Sequence, residues 1–147
     1  MREGKQECLV TVRQLVELAF AARENGILKM DEMIQDSTQY PDRFLRKAVD
    51  LVVENSDPDK IRRVLYNLIL SSKHVANHQF LKEVIITETM LAISQSEDLD
   101  YLFTYLIPSF FGLEYEHTVV EVYRTYKQQR FKAAKAGAPE EEERIHL

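Results

Sequence analysis

LVTVRQLVELAFAARENGILKMDEMI, residues 9–34, decides the fold class. From Leu9 onward the apolar residues Val12, Leu15, Val16, Ala19 and Ala22 recur at helical spacing, while Arg13, Glu17 and Glu24 fall elsewhere on the surface. Steps of three and four residues put the apolar set on one stripe of a helix, and that stripe needs a covering element. Asn25-Gly26 supplies the stop, because glycine enters left-handed backbone without a Cβ penalty. A short second helix follows at once, with Ile27, Met30, Met33 and Ile34 on one side and Lys29, Asp31 and Glu32 around the rest. The polar stretch Gln35 to Gln39 closes it.

The same period continues outward from this pair. Pro41 suits the first turn of a third helix, where its missing N–H costs nothing, and Phe44, Leu45, Ala48, Val49 and Val52 form the buried face. Ser56-Asp57-Pro58 is the clearest start signal, with Asp57 as N-cap and Pro58 at the first helical position. That fourth helix presents Ile61, Val64, Leu65, Leu68 and Ile69. The pattern weakens between Ser71 and His78, which predicts a break. A fifth helix carries Leu81, Val84, Ile85, Glu88, Leu91 and Ala92 on one face, and the polar run Ser94 to Asp98 closes it. Leu99, Leu102, Phe103, Leu106 and Ile107 mark a sixth, stopped by Pro108 and Gly112. The seventh runs from about Leu113 to Ala136 on Val119, Val122, Tyr123 and Tyr126, with acids early and bases late, as the helix dipole favours. Gly137-Ala138-Pro139 ends it. The expected fold is all-α: a single compact bundle of about six to seven short helices over residues 1–136, then an acidic, disordered tail over 137–147.

Bulk composition agrees. At 147 residues and 45% hydrophobic the chain suffices for one well-buried core, and four glycines and four prolines are too few for a sandwich or barrel. A net charge of −5 gives no reason to expect nucleic acid. Cys8, the single cysteine, reads as a small apolar residue rather than a reactive thiol. The N-terminal MREGKQE lacks the apolar core of a signal peptide. Tyr101 to Gly112, the most apolar window, is too short to span a bilayer and contains Pro108. These features predict a soluble, cytoplasmic protein with no membrane span.

Candidate chemistry is sparse. His74 and His78, four residues apart, would share a helix face as zinc ligands do, but no third ligand lies nearby and Val75 stands where HExxH needs its glutamate. Asp57 and Asp59 read as a cap and a first-turn acid. Glu88 falls on an apolar face and is a candidate buried acid. The sequence holds no Gly-rich phosphate loop, nucleophile elbow or Cys–His arrangement, so neither an enzyme nor a cofactor is expected. The basic run Arg124 to Lys135, interleaved with Tyr126 and Phe131, reads as a solvated face before a phosphate or lipid site. The aromatic set Tyr101, Phe103, Tyr105, Phe110, Phe111 and Tyr115 reads as core with an exposed part available to a partner.

Two segments go further, because they resemble the cytoplasmic parts of the flagellar stator subunit MotA. From about Leu15 to Leu70, LVELAFAARENGILKMDEMI resembles the family's helix ending in A-R-x-x-G and its following L-x-L-E. FLRKAVDLVVENSDPDKIRRVL resembles F-L-x-x-x-L-x-L-V-V-D-G-x-D-P-x-x-I-R-x-x-L. Over residues 84–107, VIITETMLAISQSEDLDYLFTYL resembles the stretch after the family's last membrane helix, approximately M-I-I-E-G-I-L-A-I-Q-x-G-E-N-P. Glu88, Leu91, Ala92, Ile93 and Glu97 match it, Thr89 and Ser96 replace its glycines, and Leu99 replaces its proline.

The family's membrane helices have no counterpart here, and the junction between the two segments falls near Lys73 to Gln79. The resemblance implies a non-catalytic interaction domain at the cytoplasmic face of the inner membrane near the flagellar motor. In the family this domain contacts the rotor switch protein FliG through charged residues. The family's arginine falls on Arg23 and its acid on Asp31, so Arg23, Asp31 and the neighbouring Lys29 and Glu32 are the expected partner-binding residues. Peripheral membrane association and oligomeric state are left open. A generic helical adaptor, and a metal-binding helical protein using His74 and His78, are the rival readings.

Overall fold

The computed structural model describes the backbone of residues 2–73 and 77–146, and the side chains of residues 4–73 and 77–136. Seven helices follow one another: α1 (Arg2–Asn25), α2 (Ile27–Ile34), α3 (Arg43–Glu54), α4 (Pro58–Ser71), α5 (His78–Ser94), α6 (residues 99–109) and α7 (Glu116–His146). No strand occurs among the described residues, and the expected helical bundle is what the chain forms. No described helix is long and apolar enough to cross a membrane.

Helix α5 sets the architecture. Ile85, Ile86, Thr87 and Thr89–Ile93 are all buried, a run interrupted only by the half-buried Glu88, and the helix is enclosed by α1, α3 and α4. This differs from the single stripe expected around Leu81, Val84 and Glu88, which are only half-buried. A helix apolar nearly all round belongs at a bundle's centre. Its two buried threonines are compatible with that place because each hydroxyl bonds one turn back, Thr87 Oγ1 to the Glu83 carbonyl and Thr89 Oγ1 to the Ile85 carbonyl, both at 2.8 Å. Around it α1 buries Cys8, Val12, Leu15, Val16, Leu18 and Ala19, and also packs on α2 and α7. Cys8 lies inside with its Sγ 3.6 Å from the His78 carbonyl, and burial pushes its thiol pKa up, as suits an inert residue.

Gly26 ends α1 as expected, at φ 88° and ψ 164°, backbone that is almost reserved to glycine. Asp57 caps α4 through the Asp59 N–H at 2.9 Å, with Pro58 in the first turn. Pro41, by contrast, lies before α3. Asp42 is the N-cap, accepting from the Phe44 and Leu45 N–H groups at 2.8 and 3.1 Å. The same carboxylate holds Lys82 of α5 at 2.9 Å, and both side chains are less than one-fifth exposed.

Pro108 does not end α6. The helix passes through it by opening a π-turn over Leu102–Leu106, in which the Ile107 N–H reaches the Leu102 carbonyl five residues back. In a regular α-helix the proline ring would press on the carbonyl four residues earlier, and the wider turn relieves that contact. Gly112 (φ 85°) then makes the turn into α7, which starts at Glu116 rather than Leu113. It runs on through Gly137 and Pro139, which therefore do not end it. The side chains of residues 137–147 lie outside those described, and with them the expectation of a disordered tail.

The exit from α5 is a Schellman turn. Ser96 N–H bonds the Ile93 carbonyl at 3.1 Å and Glu97 N–H bonds the Ala92 carbonyl at 2.9 Å, with Ser96 itself at φ 54°. Ser96 is thus a side-chain-bearing residue in a left-handed position that favours glycine. Ser96→Gly is expected to stabilise the protein by roughly 0.5–1 kcal/mol, read as a higher urea midpoint at unchanged slope; a lower midpoint would contradict the reading of this turn. Asp42→Ala removes both a cap and a shielded ion pair and should cost about 2–4 kcal/mol. Asp42→Asn, which keeps a capping oxygen, should cost about half as much in the same measurement.

Candidate protein-interaction site

The described residues gather no group of three His, Cys, Asp or Glu side chains placed to hold a metal ion. His74 lies outside the described residues. Asn77 caps α5, its side chain accepting from the Gln79 and Phe80 N–H groups, so His78 is the first residue of that helix. The expected sharing of a helix face with His74 falls outside the described residues. The His78 ring meets Glu7 of α1 at 2.9 Å. Gly4 lies directly against this residue: a Cβ there would sit 2.7 Å from the His78 Cβ, so the glycine permits the close approach of α1 and α5. Glu88 is half-buried and accepts the Tyr66 hydroxyl; burial, then that hydrogen bond, raises the Tyr66 pKa. It bridges α4 and α5.

The four residues expected to bind a partner divide into two groups. Arg23, exposed in the last turn of α1, donates its guanidinium to the Glu97 backbone carbonyl just past the Schellman turn. Lys29 and Glu32 pair with each other on α2 at 3.1 Å, as neighbours three apart on one helix do. Asp31 is half-buried, and among the described residues no hydrogen bond or ion pair engages its carboxylate. The structure therefore gives Arg23 a partner in the α5–α6 connection and Lys29 one on its own helix, and among the described residues no hydrogen bond or ion pair joins Arg23 to Asp31.

Arg23 borders a groove lined also by Phe20, Asp98, Leu99, Asp100, Tyr123 and Lys127. Three helices meet there. Asp98 caps α6 through the Tyr101 N–H at 3.2 Å. Asp100, in the first turn, accepts from Lys127 Nζ at 2.8 Å and from the Tyr123 hydroxyl at 2.5 Å. The lysine, then the tyrosine, hold the Asp100 pKa below the ordinary carboxylate range. Tyr123 is pushed the other way, by burial first and by the Asp100 hydrogen bond second. Next along α7, Arg130 pairs with Glu24 of α1 and lies 5.3 Å from the centre of the Phe20 ring and 5.7 Å from that of Tyr126. Arg13 covers the Tyr126 ring at 5.2 Å.

The basic run of α7 is thus only partly a solvated face. Lys127 and Arg130 serve as the seam that fastens α7 to α1 and α6. Spacing carried the signal: Tyr123, Lys127 and Arg130 fall at i, i+4 and i+7, one stripe of the helix. Their partners Glu24 and Asp100 are distant in sequence and carried none. Of the aromatic set, Phe103 and Phe111 are core, Phe110 and Tyr115 are half-buried, and Tyr101 and Tyr105 are exposed, at 45% and 70%.

No protein-family model matches the chain, and no solved structure matches it. Two curated proteins are similar over part of it. Motility protein A of Borreliella burgdorferi is 38% identical over 55 residues, 37% of this chain and 20% of that protein. Chemotaxis protein PomA of Vibrio alginolyticus is 37% identical over 54 residues, 37% of this chain and 19% of that protein. The chain spans about one-fifth of the length of each of these relatives and contains a segment related to motility protein A.

Because the Asp100 pKa is depressed in the folded protein, its contribution is present above the ordinary carboxylate range and is lost as pH falls through the depressed value. Its side chain is 59% exposed, so the effect is small and screened by salt. Asp100→Asn should lower the urea midpoint at pH 7 and low salt, and the gap to the parent protein should close between pH 5 and pH 2, on the order of the carboxylate range. A gap independent of pH would show that the carboxylate charge does not hold this seam.

Proposed function

We propose that the chain is a non-catalytic interaction module related to the flagellar stator, which docks on a protein of the motor, the rotor switch protein FliG in the first instance. The carrying observation is the segment related to motility protein A together with the placement of Arg23, held out in the last turn of α1 at the rim of a charged groove. Lys29, Asp31 and Glu32, on the helix immediately after the Gly26 elbow, supply the rest of the docking charge.

The physical role of these charges is orientation. Exposed ion pairs add little affinity, but complementary fields speed encounter and select one docking geometry. Asp31 suits this role better than its neighbours, because its carboxylate is not engaged within the fold while Lys29 and Glu32 largely neutralise each other. Arg23 satisfies a backbone carbonyl in the free protein, and a partner carboxylate is the stronger acceptor for a guanidinium. The exchange is favourable when a partner presents an acid at that point.

Isothermal titration against purified FliG from the same organism tests the reading. Arg23→Glu and Asp31→Lys are each expected to weaken binding about tenfold or more, with most of the loss in the association rate, and thermal unfolding shows that the fold survives. Full binding by both variants removes the charge-docking reading. No binding to FliG or to any other purified motor component removes the motor reading.

A further inference from the structure

Away from the Arg23 groove, α3 and α4 border a second one, lined by Arg43, Phe44, Arg46, Lys47, Asp50 and Leu68. Arg43, Arg46 and Lys47 fall at i, i+3 and i+4, so three cations stand on one side of α3. Among the described residues none of the three meets a carboxylate, whereas Lys82 close by is paired with Asp42 and the cations of the α7 seam are paired with Glu24 and Asp100. The groove also has apolar surface: Phe44 is half-buried and Leu68 is 38% exposed. A basic, partly apolar groove on a chain of net charge −5 selects an acidic segment with apolar residues beside its charges.

The chain carries one such segment. Glu140 to Glu143 are four consecutive acids, followed by Arg144, Ile145, His146 and Leu147. In its own molecule the segment belongs to α7, whose packing lies elsewhere in the fold. The last seam contact of α7 is Arg130 with Glu24, every side chain from Phe131 to Ala136 is exposed, and the helix runs to His146, about 24 Å beyond Arg130. It packs on α1 and α6, whereas α3 packs on α2, α4 and α5.

We propose that the acidic segment 137–147 of one molecule docks in the Arg43–Arg46–Lys47 groove of a second copy, and that the exchange is reciprocal. One arm buries little surface, and two arms related by a two-fold axis double it and close the assembly as a dimer. This contact uses none of the residues assigned to motor docking, so the two readings stand or fall separately.

Sedimentation velocity on the full chain tests it. A dimer is expected at tens of micromolar and about 50 mM salt, loosening roughly tenfold or more at 500 mM as the charges are screened. Arg46→Glu with Lys47→Glu, and separately Glu141→Lys with Glu142→Lys, should each give a monomer, and the two sets combined in one chain should restore the dimer. Arg46→Gln with Lys47→Gln, a milder change, should weaken it with an unchanged unfolding midpoint. A monomer under all conditions overturns the proposal, as does a dimer that the reversals leave intact. Loss in both single sets without recovery in the combination overturns the arm-to-groove pairing.

Discussion

The enclosure of α5 is the constraint on which the rest of the structure depends. Eight of its residues between Ile85 and Ile93 are buried, with apolar side chains pointing in nearly every direction, so other helices have to cover it on several sides at once. α1 covers one side, α3 and α4 the others, and α2 and α7 take their places against α1. Burying helical backbone is inexpensive because its N–H and C=O groups bond within the helix. The threonine hydroxyls at 87 and 89 are satisfied by the same turn of helix. Apart from Glu88, half-buried and bonded to Tyr66, the charged residues of α5 lie near its start, and the Arg23 groove is built on α1, α6 and α7 around it.

Polar contacts at the helix ends fix how the covering helices are set. Lys82, in the first turns of α5, takes the carboxylate that caps α3, so the start of one helix is tied to the flank of another. Tyr40, buried in the α2–α3 connection, passes its hydroxyl to Glu17 of α1 at 3.1 Å; burial, then the charge of Glu17, raises its pKa. Lys5 of α1 reaches the Phe111 carbonyl at 3.2 Å and lies over the Tyr115 ring, closing the α6–α7 turn on the opposite end. Such contacts contribute modestly one by one, since each replaces a hydrogen bond to water. Their effect is directional: they select one register among the many that an apolar helix surface tolerates.

Much of this was legible in the sequence, for a definite reason. Amphipathic period and helix caps are local, so residues 9–34, the Gly26 elbow and the Asp57-Pro58 start could be read from neighbours a few positions apart. The errors share the opposite cause. Pro108 reads as a stop because its own chemistry forbids the regular bond, and nothing local reveals that a π-turn will absorb it. Glu88 and its neighbours read as the inner face of α5 because their spacing marks one stripe, whereas the helix is buried on nearly every other side. The seam of Glu24, Asp100, Lys127 and Arg130 was half visible: the stripe on α7 could be found by spacing, but its acids lie on α1 and α6 and only the fold brings them together. The Glu7 partner of His78 is of the same kind: Asn77 caps α5 just before His78, and only the fold brings α1 beside it.

The Arg23 contact links the proposed docking site to the core through this same logic. The carbonyl it holds belongs to Glu97, whose N–H closes the Schellman turn at the end of α5, and the strained Ser96 sits between the two bonds. A left-handed serine persists only where its surroundings over-determine it. The next residue, Asp98, caps α6, and Asp100 fastens α6 to α7. A partner carboxylate that drew the guanidinium away would therefore remove one restraint from the turn that joins the buried helix to the α6–α7 unit. The structure offers a short physical route from a surface charge to the setting of two helices, with the left-handed Ser96 as its weakest link. Ser96→Gly would relieve that link and make the turn less dependent on the Arg23 restraint, so the stability lost on removing the arginine should be smaller in the glycine background than in the parent protein.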